Sequence, residues 1–154
     1  MDFGDLFFKF GGRINRAKFW IALLIYFVIY VVLYAIGYLT SQSVMWQAVY
    51  GMLGIVLFIS SFAVGIKRLH DRNKSGWYMV LFYIAPGVLI AASIVVGLSG
   101  DSSNMIATVL ALAAIGIAVW AFIELGCLRG SIGGNHYGAD PIAPEILTPP
   151  VRTH

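Results

Sequence analysis

Two long apolar runs dominate the chain. From Phe19 to Ile66 no charged residue occurs, and from Ser75 to Ile123 only Asp101 interrupts. Each run exceeds the roughly 20 apolar residues that one helix needs to cross a bilayer and falls short of three such helices with turns. Each therefore reads as a helical hairpin. Thr40, Ser41, Gln42 and Ser43 divide the first run into spans of about 19–39 and 45–66, and Ser99 to Asn104 divides the second into about 77–98 and 105–125. Backbone groups in hydrocarbon must bond within their own segment, and the short alternating strands of a barrel are absent, so the pattern predicts four transmembrane helices. Ahead of them Phe3, Leu6, Phe7 and Phe10 recur at helical spacing opposite Asp2, Asp5 and Lys9, which predicts a short interfacial helix over 2–10. Gly11 and Gly12 break it, and Asn15 is placed to cap the first span. Residues 142–154, with Pro144, Pro149 and Pro150, read as a flexible tail.

Charge adds orientation. All ten Lys and Arg residues fall in three short segments, Lys9 to Lys18, Lys67 to Lys74, and the stretch holding Arg129 and Arg152. Neither hairpin turn carries one, so the positive-inside rule puts both termini and the central loop in the cytoplasm. The same rule accounts for the net charge of +3 without a nucleic-acid partner. A chain that is 60% hydrophobic and 11% charged has too little polar surface for a soluble globule. The fold class is thus all-α integral membrane, four transmembrane helices as two hairpins, N-in and C-in. Its 154 residues allow one membrane domain. The first run is too long for a signal peptide and is expected to be retained. The single cysteine, Cys127, beside the basic stretch, reads as a reduced cytosolic thiol.

The segment from Lys67 to Trp77 concentrates the chemistry. Arg68 and Arg72 lie four apart on a continuing helix, and with Arg13 and Arg16 they are suited to fork onto a phosphate or carboxylate. Asp71 is within helical reach of Lys67 and Arg68, and Ser75 is placed to cap the third span. The pair His70 and Asp71, with His136, resembles part of a metal hydrolase site, but further ligands are lacking, so neither a metal nor a cofactor is expected. Glu124 is the only acid inside an apolar run apart from Asp101, and its place near the end of the fourth span lets it pair with a loop arginine. Pro86 is expected to kink the third span. Gly51, Gly54, Ala107, Ala111 and Gly116 are candidate close contacts between helices. The stretch from Gly130 to Pro141, holding Asn135, His136 and Tyr137, reads as an ordered loop or a linker.

Three motifs, Gly12-Arg-Ile-Asn-Arg-Ala-Lys-Phe-Trp20, Arg68-Leu-His-Asp71 with Ser75-Gly-Trp77, and Gly134-Asn-His-Tyr-Gly-Ala-Asp-Pro141, together resemble a family of small bacterial inner-membrane proteins catalogued as domain of unknown function 805. The resemblance spans nearly the whole chain. It implies four spans and a bacterial cytoplasmic membrane, and lends no activity. Lys18 stands where the family often has an acid, Arg72-Asn73 where it more often has Thr-Gly, and His136 where it often has Arg.

Three functions follow as expectations. The first is a non-enzymatic membrane protein whose cytoplasmic motifs pack together and bind an anionic lipid headgroup, a small anion or a protein partner through Arg13, Arg16, Arg68, His70, Asp71, Arg72, Ser75, Asn135, His136 and Tyr137, as a monomer or a homo-oligomer. The second is a small oligomeric transporter or channel using Pro86 and Glu124. The third is a membrane enzyme using His70, Asp71 and His136.

Overall fold

The computed structural model describes residues 3–40, 43–99 and 104–142; Asp2, Asp101 and all of the predicted tail except Ile142 lie outside these. The described residues form α1 (Phe3–Phe8), α2 (Arg16–Leu39), α3 (Val44–Asp71), α4 (Tyr78–Gly97) and α5 (Asn104–Phe122), the last continuing into one π-helical turn, Ile123–Cys127. Four of these helices are long and apolar enough to cross a membrane. Among the described residues there is no strand, only an isolated bridge between Asn135 and Gly138.

α1 is shorter than its apolar pattern, ending at Phe8 before the glycine pair, with Gly12 at φ +88°. Its apolar side chains divide. Leu6 is buried and Phe7 meets the Tyr26 ring edge-on at 5.6 Å, whereas Phe3, Phe8 and Phe10 are exposed. A helix this short cannot satisfy its own last carbonyls. Lys67 does so instead, its ammonium donating to Asp5 O at 2.6 Å and Leu6 O at 2.5 Å.

α2 starts as its sequence predicts, with Asn15 Oδ1 accepting from Lys18 N at 2.9 Å. α3 overshoots its predicted end at Ile66 by five residues. Charge ends an apolar run but not a helix, because the backbone ladder continues outside hydrocarbon. The overshoot carries Lys67, Arg68 and Asp71 as buried side chains. It stops in a Schellman turn, with Asn73 N donating to His70 O and Lys74 N to Leu69 O, both at 2.9 Å. Asn73 occupies the left-handed position of that turn at φ 55°, which fits a site where the resembling family more often has glycine.

Ser75 does not cap α4 in the expected way. Its hydroxyl accepts from Trp77 N at 3.4 Å, while bonds from Tyr78 N to Ser75 O and from Met79 N to Gly76 O make a tighter turn leading into the helix. α4 remains helical on both sides of Pro86. A buried polar pair, Tyr26 and Ser60, joins α2 to α3 at 2.8 Å.

α4 lies along α5, α1 lies on α3, and α2 packs on α3. The two hairpins meet at the end where α2 and α4 begin, with Trp20 edge-on to Phe122 at 5.8 Å and Tyr83 against Phe62 at 4.9 Å. Elsewhere the helices present apolar surface outward, since only 11% of the most apolar stretch of α4 and 6% of that of α5 is buried within the chain. Lipid is the solvent such a surface requires. The small residues correct one expectation. Ala107 does sit close to α4, its carbonyl accepting from Ser93 Oγ at 2.8 Å, and Ala111 is half-buried. Gly51, Gly54 and Gly116 instead border open space. The glycines that neighbours crowd most at the joined end are Gly65 against Met79, Gly126 against Trp20 and Gly130 against Asp71.

Candidate functional site: a cap of paired charges

The joined end of the helices is closed by two buried carboxylates. Asp71 is the last residue of α3, and its Oδ2 accepts from Arg68 Nη1, one turn earlier, at 2.5 Å. Its Oδ1 accepts from Nε and Nη2 of Arg13, in the segment before α2, at 3.2 and 3.1 Å. The three side chains are 0, 1 and 4% exposed for Arg68, Arg13 and Asp71, so the pairing is effectively dry. Charges held that way are tolerated only when their remaining donors also find acceptors. Arg68 donates to Leu125 O at 2.8 Å and to Leu128 O. Arg13 donates to Gly133 O at 2.7 Å, Gly138 O at 3.1 Å and Ser131 O at 2.7 Å. Ser131 returns the contact through its N–H and hydroxyl, both donated to the Asp71 carbonyl.

The carboxylate onto which Arg13 and Arg68 fork is therefore the chain's own. Both side chains were candidates for an external anion, and their guanidinium donors are taken by the protein itself.

Glu124, in the π-helical turn, is the second hub. Its Oε1 accepts from Arg72 Nε and Lys74 Nζ, each at 3.0 Å, and its side chain is 5% exposed. Arg72 also donates to Arg129 O at 2.5 Å, and Lys74 stands 5.5 Å over the Tyr78 ring. Carbonyls at a helix C-terminus lack partners of their own and carry the negative end of the dipole. Here five in succession are served by side chains: Leu125 O and Leu128 O by Arg68, Gly126 O by the Trp20 indole at 3.0 Å, Cys127 O by Arg16 at 3.3 Å, and Arg129 O by Arg72. Arg16, Arg68 and Arg72 thus act on the end of α5, not only on the end of α3.

The glycine-rich segment is ordered from Gly130 to Ile142 and forms the outer layer. Asn135 Nδ2 donates to His70 O at 2.8 Å and to Ser131 Oγ at 2.9 Å, while its Oδ1 accepts from Tyr137 N at 2.9 Å. The Tyr137 ring stacks on His70 at 3.8 Å, nearly parallel at 5°. His70 Nδ1 lies 3.2 Å from Gly12 O, so that nitrogen is the one assigned the proton. His136 is exposed and sits 3.3 Å from Asn73 Oδ1. Asp140 Oδ1 accepts from Ile142 N and Oδ2 from Gly133 N, each at 2.9 Å. These two bonds, Ile142 first, hold its carboxyl below the usual carboxylate range.

His70, Asp71 and His136 consequently face different partners and do not converge. Among the described residues no group of three or more His, Cys, Asp or Glu side chains is placed to hold a metal ion. Of the sequence candidates, Arg13, Arg68 and Asp71 form the inside of the cap, Arg72 and Glu124 its second hub, and Arg16, His70, Ser75, Asn135, His136 and Tyr137 its outer layer and rim. Sequence reasoning missed Lys67 as the cap of α1, and missed Gly130, where a Cβ would overlap the Asp71 carboxylate. For Gly130 the only signal was a glycine in a loop.

Four apolar helices, joined at one end by paired buried charges, define a multi-pass membrane protein. The chain belongs to the DUF805 family, described as "Protein of unknown function (DUF805)", whose match covers residues 7–139 and so includes every cap residue from Arg13 to Gly138. It is 31% identical to the uncharacterized protein YiiR of Escherichia coli (strain K12) over 135 residues, 86% of each chain. It is 33% identical to the inner membrane protein YhaH of the same strain over 81 residues, which are 49% of this chain and 64% of that one. No solved structure gives a significant match.

Proposed function

We propose that this chain is a non-enzymatic protein of the bacterial cytoplasmic membrane, with both termini and the α3 to α4 connection in the cytoplasm, whose cap binds anionic ligands at the inner leaflet, lipid phosphate foremost. The observation that carries this reading is charge. Among the described residues nine Lys and Arg side chains stand against four carboxylates, Asp5, Asp71, Glu124 and Asp140, all at the capped end. Each hub sets two cations against one carboxylate, and Arg16, Lys18 and Lys67 have no ion-pair partner among the described residues, so the cap keeps a positive excess that anionic headgroups would meet. The name of the relative YhaH supports an inner-membrane location.

The transport reading draws no support from Glu124, which is held by Arg72 and Lys74 at the end of its helix. Native mass spectrometry of protein extracted in mild detergent tests the proposal and returns the subunit number as well. Retention of phosphatidylglycerol or cardiolipin in preference to zwitterionic lipid is expected. A spectrum free of anionic lipid contradicts the reading.

A further inference from the structure

We infer that the phosphate is held not by the arginines but by Lys18 and Lys67, in the cleft between α1 and the first turn of α2; this rests on the ligand reading above. The cleft encloses about 270 Å³, enough to admit a phosphate group, and its lining includes Asp5, Lys9, Gly11, Gly12, Lys18 and Lys67. Its charges do not balance. Asp5 pairs with Lys9 at 2.6 Å, and Arg13, which also borders the cleft, is committed to Asp71. That leaves Lys18 and Lys67 without an ion pair among the described residues, although the Asp5 charge acts on Lys67 through space. Lys18 is half-buried, and its bond to Asn15 is made by its backbone N–H, not by its ammonium. Lys67 is 3% exposed and spends two of its three N–H bonds on Asp5 O and Leu6 O, both neutral acceptors.

A desolvated ammonium with only neutral acceptors is costly unless an anion joins it. Backbone donors stand at the same place. The N–H groups of Gly11 and Gly12 reach no carbonyl among the described residues, and Gly12 at φ +88° has no side chain to screen them. Two ammonium groups and adjacent glycine amides make the donor set that a phosphate ester requires. Phe3, Phe8 and Phe10, on and just beyond α1, are exposed apolar side chains suited to the acyl boundary, which favours a phospholipid headgroup over a free phosphate.

The test compares wild type with Lys18→Gln, Lys67→Gln and, as a control outside the cleft, Arg129→Gln. Phosphatidylglycerol is titrated by native mass spectrometry, and inorganic phosphate is titrated in a parallel thermal-shift assay against chloride at equal ionic strength. Lys18→Gln should weaken phosphatidylglycerol binding about tenfold, the effect of losing one charge-assisted hydrogen bond, and Arg129→Gln should leave it unchanged. Lys67 also caps α1, so Lys18→Gln decides the matter if Lys67→Gln misfolds. A phosphate-induced shift lost in Lys18→Gln, without lipid retention, would support the site with a soluble phosphate as its source. Equal lipid binding by wild type and Lys18→Gln would overturn the site while leaving the proposed function standing. Neither lipid nor phosphate binding by wild type would overturn both.

Discussion

Asp71→Asn is expected to destabilise the protein by about 3–5 kcal/mol, the range for breaking a buried ion pair from one side. The amide keeps the shape of the carboxylate but leaves Arg13 and Arg68, both nearly unexposed, facing a neutral group whose NH₂ donates toward their own donors. Unfolding of the detergent-solubilised protein, followed by near-UV circular dichroism, should begin on the order of 10 °C lower than in wild type. Because Arg13 and Asp71 share one contact across the fold, Arg13→Gln combined with Asp71→Asn should cost less than the sum of the single changes. Strict additivity would mean that the N-terminal segment is not held by this carboxylate. A wild-type midpoint for Asp71→Asn would mean that the cap does not depend on it.

Arg68→Lys is expected to cost about 2–4 kcal/mol even though it leaves the charge count untouched. Lysine offers a single ammonium where arginine presents a fixed fork. It cannot reach Asp71 Oδ2, Leu125 O and Leu128 O together as Arg68 does. Topology depends on the number of positive charges and should not change. The substitution therefore separates two roles of the basic residues. Loss of thermal stability with unaltered insertion, read by unfolding and by membrane fractionation, supports a folded cap. Full stability would leave Arg68 a topological charge only.

The four spans were legible because apolar length is a property of a single segment, and each predicted span matches one long helix to within a few residues except at the end of α3. There the first charged residue was taken for the end of the helix, whereas the stop is set by the Schellman turn at Asn73. Local interactions were legible too: the Asn15 cap, and the pairing of Asp71 with Arg68 one turn earlier. Contacts between distant segments were not. Nothing in the spacing of Arg13 and Asp71 announces that they meet, and a serine in a glycine-rich loop does not reveal that it will bond the carbonyl of Asp71. The described basic residues do meet at one end of the helices, as a shared side requires. The sequence did not disclose that Arg16, Arg68 and Arg72 would be turned onto carbonyls at the end of α5, because orphan carbonyls carry no residue-type signature.

The account stands on the cap facing the cytoplasm, and the chain's single cysteine permits a direct measurement. Cys127 is free and exposed at the end of the π-helical turn, where its carbonyl accepts from Arg16. A membrane-impermeant maleimide applied to spheroplasts and to inverted membrane vesicles reads which side it occupies. Labelling of Cys127 in inverted vesicles and none in intact spheroplasts is the predicted result. Labelling from outside intact spheroplasts would put the cap on the far side of the membrane and contradict the account.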